Sequence, residues 1–313
     1  SIRLKQAFEQ KGFLVNSIVI TQFTHQDKAI RFEKYLDNLS IKHYRTYNIN
    51  GYPNDIDHIL SEEGFGKNDY VETTRPLVVV TGPGPGSGKM ATCLSQMYLD
   101  HERGQRSSYA KFETFPIWNL GLMHPINMAY EAATANLNDI NMIDPYHLEA
   151  YGTLAVNYNR DVEAFSVLKR MLEKIMGQAP YKSPTDMGVN MVGFCIVDEE
   201  AAIEASKEEI IRRYYNALVD YRFAKESYSS IEKIQTLMSN LDIKAEDREV
   251  AIAAREKKQS TGKESFAIQM NDGQIITGKK SNLFSAPAAA ILNTLKKLGK
   301  IDDEILLLSP HII

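Results

Sequence analysis

Apolar and polar positions change their rhythm three times along the chain. In the first 115 residues, short apolar runs alternate with stretches whose apolar positions recur every three or four residues. Helices are predicted over residues 2–11, 26–39, 55–60 and 88–103. Strands are predicted over 16–23, 42–49, 75–81 and 107–115. The run "RPLVVVT" at 75–81 is apolar without interruption, as in a strand buried on both faces. Such alternation predicts a parallel sheet covered by helices.

From residue 125 the helical period takes over, over 125–137, 162–176, 199–223 and two stretches within 230–258. The tail changes again. "ESFAIQM" and "QIITGK" are joined by "NDG" (271–273), a strong hairpin signal. A helix over 287–298 and a third strand over 304–309 follow. The fold class expected is α/β, in three parts. These are a Rossmann-like or P-loop-like parallel-sheet domain (1–155), a mainly helical subdomain (156–260) and a β-β-α-β subdomain (261–313). The tail resembles the core of the cytidine-deaminase-like fold, but "SAPAAA" and "SPHII" stand where that fold's zinc ligands belong. Zinc chemistry is therefore not expected.

Bulk composition excludes more than it selects. The 313 residues carry 43% hydrophobic and 24% charged side chains and a formal net charge of −4. Nothing in that balance draws the chain to nucleic acid, and no basic stripe with interleaved aromatics exists. No apolar run reaches the length of a bilayer span. The opening "SIRLKQAFEQ" reads as an amphipathic helix, not a signal peptide, and lacks an initiator Met, as a processed or excised chain would. Cys93 and Cys195 lie in apolar surroundings outside any paired motif, which predicts free buried thiols and a cytoplasmic location.

Candidate chemistry centres on "VVVTGPGPGSGKMATCL" (78–94), an apolar run, a glycine-rich loop, a lysine and a helix. Aligned on Gly88 and Lys89 with a P-loop, the chain has Pro83 for the first glycine and Met90 for the magnesium-binding hydroxyl. Gly84 and Gly86 permit positive φ, and Pro83 and Pro85 stiffen the loop. The amides of Ser87, Gly88, Lys89 and Met90 are expected to converge on an anion at the helix start, with Lys89 adding its charge. The alternative is a tight turn with a solvated lysine. Met90 cannot ligate magnesium, so magnesium has weak support.

Further candidates are scattered. "FCIVDEE" (194–200) reads either as a Walker B strand, with Asp198 for a metal or base, or as the cap of the following helix. "KFETF" (111–115) places a cation beside an acid and a hydroxyl, suited to gripping a second phosphate or a carboxylate. "KSPTD" does the same with Lys182 and Asp186. Arg160 and Asp161 read as an ion pair or as substrate contacts. His147 and Glu149 are the nearest approach to a metal pair, without a metal-ligand spacing.

The segments "GKNDYVETTRPLVVVTGPGPGSGKMATCLSQMY", "AKFETFPIWNL", "NMIDPYHLEAYG", "VNYNRDVEAF" and "YKSPTDMGVNM" resemble an uncharacterised bacterial family, domain of unknown function 1846, also called UPF0371. The resemblance runs over essentially the whole chain. It implies an α/β N-terminal part, a helical part and a deaminase-like C-terminal part. It also implies members longer at both ends, hence an interior piece here. It supplies no catalytic residues.

The expected function is binding of a phosphorylated or nucleotide ligand, with transferase or hydrolase chemistry at phosphate or, alternatively, a non-catalytic binding or assembly role. Lys89 and Asp198 are the catalytic candidates. Gly84, Gly86, Ser87, Gly88, Lys89, Met90, Arg160, Lys182 and Asp186 are the candidate phosphate-site residues. The partners expected are a small phosphorylated ligand and, at most, further copies of the chain. Neither nucleic acid nor membrane is expected as a partner.

Overall fold

A computed structural model describes residues 2–84, 86–225 and 227–307. In chain order the elements are α1 (Ile2–Gln10), β1 (Ile18–Phe23), α2 (Asp27–Asn38), β2 (His43–Tyr47), α3 (Ile56–Ile59), α4 (Lys89–Glu102) and β3 (Lys111–Phe112). They continue with α5 (Pro125–Ala133), β4 (Asn141–Ile143), α6 (Pro145–Tyr151), β5 (Val156–Tyr158), α7 (Asn159–Met176), α8 (Pro184–Met187) and β6 (Gly188–Val189). The remainder is α9 (Glu199–Arg222), α10 (Tyr228–Asn240), α11 (Glu249–Thr261), β7 (Ser265–Gln269), β8 (Ile275–Lys279) and α12 (Ala286–Leu298). The fold class is mixed α/β.

Contacts divide the chain into two compact units that interleave in sequence. The first holds Ser1–Leu120 and Met142–Gly193; the second holds Gly121–Asn141 and Phe194–Ile313.

In the first unit, α7 buries Phe165, Leu168, Met171, Leu172 and Ile175, spaced along one helical stripe. The last four of these share a core with Ile59, Phe65, Leu94, Met97 and Met187. Each such side chain, fully buried, contributes about 1.5–3 kcal/mol. β1 pairs in parallel with β2, and β3 in parallel with β6. β4 and β5 form another two-stranded pair. The broad parallel sheet expected from the alternation is thus replaced, among the described residues, by separate two-stranded pairs.

Two of the strands expected in the first unit are corrected. Residues 77–80 join no ladder among the described residues. Leu77, Val78 and Val79 are 82%, 49% and 77% exposed, the reverse of a run buried on both faces. Pro76 and Pro83 flank the run, and neither carries an amide hydrogen to extend a ladder. The strand expected over 107–115 shrinks to β3.

The second unit packs α5 and α10 against α9, with Met128, Ala132, Ile210, Ile211, Ile231, Ile234 and Leu237 in its core. β7 and β8 are the expected antiparallel hairpin. α12 lies so close to β8 that a side chain at Gly278 would meet the Ala290 backbone nitrogen at 2.1 Å. Residues 304–307 are not a strand; Ile305 and Leu306 are 55% and 66% exposed. The end of that predicted strand and the "SPHII" segment lie outside the described residues. Among the described residues, no helix is long and apolar enough to cross a membrane.

Candidate functional site

The glycine-rich loop sits against β1. Thr21 Oγ1 donates to the Ser87 carbonyl at 3.1 Å. At this point β1 carries a bulge: two residues, Thr21 and Gln22, stand between the paired Ile20 and Phe23, and Gln22 has φ +53°. A bulge re-aims neighbouring backbone and recurs beside functional sites.

The loop closes on itself. Ser87 Oγ donates to the Gly84 carbonyl at 2.8 Å, and the Lys89 ammonium donates to the same carbonyl at 2.8 Å. Lys89 Nζ also lies 3.3 Å from Ser87 Oγ. Gly86 and Gly88 take left-handed φ values of +70° and +81°, where a Cβ would be strained. Pro85 lies outside the described residues.

Gly88 is the N-cap of α4, and no side chain caps that helix. The first helical bond runs from the Thr92 amide to the Gly88 carbonyl, 2.9 Å. The amides before Thr92 are those a helix leaves for an outside acceptor. A Cβ added at Gly84 or Gly86 would meet nothing within 4 Å, so packed side chains do not seal the loop at those glycines. Met90 is partly buried and packs against the first unit's core. Packing thus explains why a thioether occupies the position of the expected hydroxyl.

Asp198 belongs to the second unit and caps α9, its carboxylate accepting from the Ala201 amide at 3.0 Å. The Walker B alternative is corrected: residues 195–197 are not a strand and Val197 is 99% exposed. Lys182 and Asp186 do come together. Asp186 Oδ2 accepts from the Lys182 amide at 3.0 Å and from the Tyr151 hydroxyl at 2.9 Å, and the Lys182 ammonium lies 5.3 Å from the Tyr151 ring centroid. Among the described residues, no hydrogen bond or ion pair joins either to residues 84–90. Arg160 stacks over Tyr158, 5.4 Å from the ring centroid, and lines an open cleft of about 270 Å³ with Pro53, Asn54 and Val167.

His147 Nδ1 meets Ser183 Oγ at 3.0 Å, while the fully buried Asp144 accepts from the His147 amide and from the Thr185 hydroxyl at 2.7 Å. This network ties α6 to α8. Of the two thiols, only Cys93 is partly buried, and burial pushes it up to about 11; Cys195 is exposed, contrary to expectation.

One constellation was visible in sequence only as fragments. Lys111, on β3, forms ion pairs with Glu113 at 2.7 Å and with Asp161, and donates to the Tyr158 hydroxyl. The side chains of Lys111, Glu113 and Asp161 are only 26%, 9% and 16% exposed. Parallel pairing of Lys111 with Gly188 brings β6 alongside, and a side chain at Gly188 would fall 3.3 Å from Glu113 Oε2. Burial, with the adjoining Asp161, pushes Glu113 up to about 7 despite Lys111. Burial works against the Lys111 charge, but the two carboxylates outweigh it and hold the ammonium above its usual range. The grip on a second anion expected of Lys111 is thus taken up by two carboxylates.

The chain matches two family descriptions. Residues 1–242 match "Domain of unknown function DUF1846, N-terminal", and residues 246–313 match "Domain of unknown function DUF1846, C-terminal". It belongs to this family. Its relatives include proteins named "UPF0371 protein" from Streptococcus pneumoniae, among them those of strains CGSP14 and P1031. Each is 55% identical over 312 residues, covering 100% of this chain and 63% of the relative. The chain therefore spans somewhat less than two thirds of the length of these curated relatives.

Proposed function

We propose that this DUF1846 chain binds the phosphate group of a small phosphorylated ligand, of the nucleotide or sugar-phosphate class, at residues 84–90. The observation carrying this reading is the pair of left-handed glycines, Gly86 and Gly88, leading into the uncapped start of α4. Successive amides in such a turn converge, and the helix dipole adds positive potential at the same end. Lys89 is already folded onto the loop, so its charge is in place before a ligand arrives.

Titration calorimetry with ADP and a sugar phosphate tests this. Lys89→Ala is expected to weaken binding by roughly tenfold, about 1.4 kcal/mol. Equal affinity in wild type and variant overturns the reading.

The packing of Met90 against the first unit's core favours a second version, in which the loop binds without magnesium-dependent hydrolysis. Magnesium-dependent nucleotide turnover that is lost in Lys89→Ala would exclude that version.

A further inference from the structure

Two apolar runs of the first unit are short of ladder partners. β1 opens with Ile18, Val19 and Ile20, a sequence suited to a strand covered on both faces. Among the described residues it pairs with β2 alone, and all three side chains are only partly buried. Residues 77–80 are equally suited to a strand by composition, yet they join no ladder and leave Leu77, Val78 and Val79 exposed.

Contacts at both ends of β1 hold the segment that carries this second run. Just before β1, the Asn16 side-chain amide donates to the Glu72 carbonyl at 2.7 Å. Near its end, Thr21 Oγ1 donates to the Ser87 carbonyl at 3.1 Å. The Glu72 amide donates to the Tyr44 hydroxyl at 3.3 Å, and Gln96 bonds the amide and the carbonyl of Val71 at 3.0 and 3.2 Å. The intervening residues thus leave from the N-terminal end of β1 and arrive at its C-terminal end. Residues 77–80 head the way β1 does, as a parallel neighbour must.

The outer edge of β1 is suited to receive them. The Ile18 amide donates to the Lys42 carbonyl at 3.0 Å, towards β2, so the Val19 amide, next along the strand, points the other way. Gly82 anchors the near end of the run. A side chain there would meet Ser87 Oγ at 2.5 Å, so Gly82 already sits against the residue that Thr21 holds. Pairing can begin beside Thr21 and extend back to Leu77, where Pro76, without an amide hydrogen, ends it.

We propose that residues 77–80 are a strap that closes onto the outer edge of β1 as a third parallel strand, and that a phosphate held at residues 84–90 favours the closed state. Closure buries apolar side chains that now face water, which drives it. It also fixes the loop at its N-terminal end, as α4 fixes it at the other, and a loop held at both ends binds with less ordering cost. By linkage the ligand stabilises the closed strap as much as the strap strengthens binding. A strand from a second copy would compete for the same edge, but residues 77–80 are tethered to β1 on both sides, which gives them the higher effective concentration. The ligand half of this proposal rests on the phosphate reading of the loop; the strap itself does not.

The test has two arms, both on the full 313-residue chain. In the first, Cys93→Ser and Cys195→Ser remove the native thiols, and Val79→Cys is combined in turn with Ile18→Cys, Val19→Cys and Ile20→Cys. Mild oxidation without ligand is expected to give an intramolecular disulfide in at least one pair, because paired strands bring their Cα atoms within the span of that bond. Free thiols in all three pairs overturn the strap. Disulfides formed only between copies overturn it too, and assign the edge to a second copy.

The second arm follows amide hydrogen exchange by mass spectrometry, with and without saturating ADP. ADP is expected to slow exchange across residues 77–80 of wild type by roughly tenfold. Val78→Pro and Val79→Pro remove amides that point to opposite sides of the run, so one of the two is expected to abolish the slowing and to raise the Kd for ADP several-fold. Bound ADP with unchanged exchange at 77–80 overturns the coupling, as does slowing that survives both proline variants or is already complete before ADP is added. Failure of ADP and a sugar phosphate to bind wild-type protein overturns the phosphate reading and the coupling with it, leaving the cross-linking arm to judge the strap.

Discussion

Gly88 faces Thr21 at a place with no room for a Cβ. A Cβ on Gly88 would lie 2.9 Å from Thr21 Cγ2 and 3.0 Å from Thr21 Cβ. Gly88→Ala therefore adds a backbone strain of about 1–2 kcal/mol at φ +81° to a steric clash with β1. Urea denaturation is expected to show a loss of roughly 2–3 kcal/mol. Adding Thr21→Ser, which removes Cγ2 and keeps the hydroxyl on the Ser87 carbonyl, should restore only the steric part. Full recovery would show that the left-handed backbone is not required.

Asp198 has a capping role that experiment can separate from the catalytic role expected of it. Its side chain caps α9, and removing such a cap costs about 1 kcal/mol. Asp198→Ala is expected to lower the urea midpoint by that amount and to leave ADP affinity unchanged. An affinity loss like that of Lys89→Ala would return Asp198 to the site.

Glu113 makes stability depend on pH in a defined direction. Its acidity in the folded chain lies near 7, above the unfolded value of about 4.3. The folded state then binds the proton more tightly, so the stabilisation is fully present below the unfolded value and is lost as pH rises through about 7. The contribution is roughly 1–3 kcal/mol. Urea unfolding at acidic and mildly basic pH should show wild type losing stability relative to Glu113→Gln as pH rises. A constant difference between the two would contradict the assignment.

Much of this arrangement was legible in the residue pattern, and the failures share a cause. The stripe on α7 and the "NDG" turn are local, so α7 and the β7–β8 hairpin could be read directly. The glycine loop was legible too, because positive φ and a helix start are encoded within a few residues. Whether residues 77–80 form a strand depends instead on a partner elsewhere in the chain, and apolarity alone cannot supply one. The Lys111–Asp161 pair spans 50 residues, and only the pairing of β3 with β6 and the placement of α7 assemble it. Asp161 beside Arg160 read as a local ion pair or as substrate contacts, and the structure pairs Asp161 with Lys111. Met90 looked like a defect in a motif and is a packing residue.

The interleaving of the two units bears on how the chain can be made and dissected. Residues 121–141 leave the first unit, contribute α5 to the second, and the chain then returns until Gly193. A ribosome must deliver residue 193 before the first unit has all its parts, while α5 waits for α9 to emerge. A fragment ending at Leu120 would lack α7 and with it four of the nine buried residues of the first unit's core cluster. Dissection into independently expressed pieces therefore calls for grafting across the 121–141 excursion, not for a single cut.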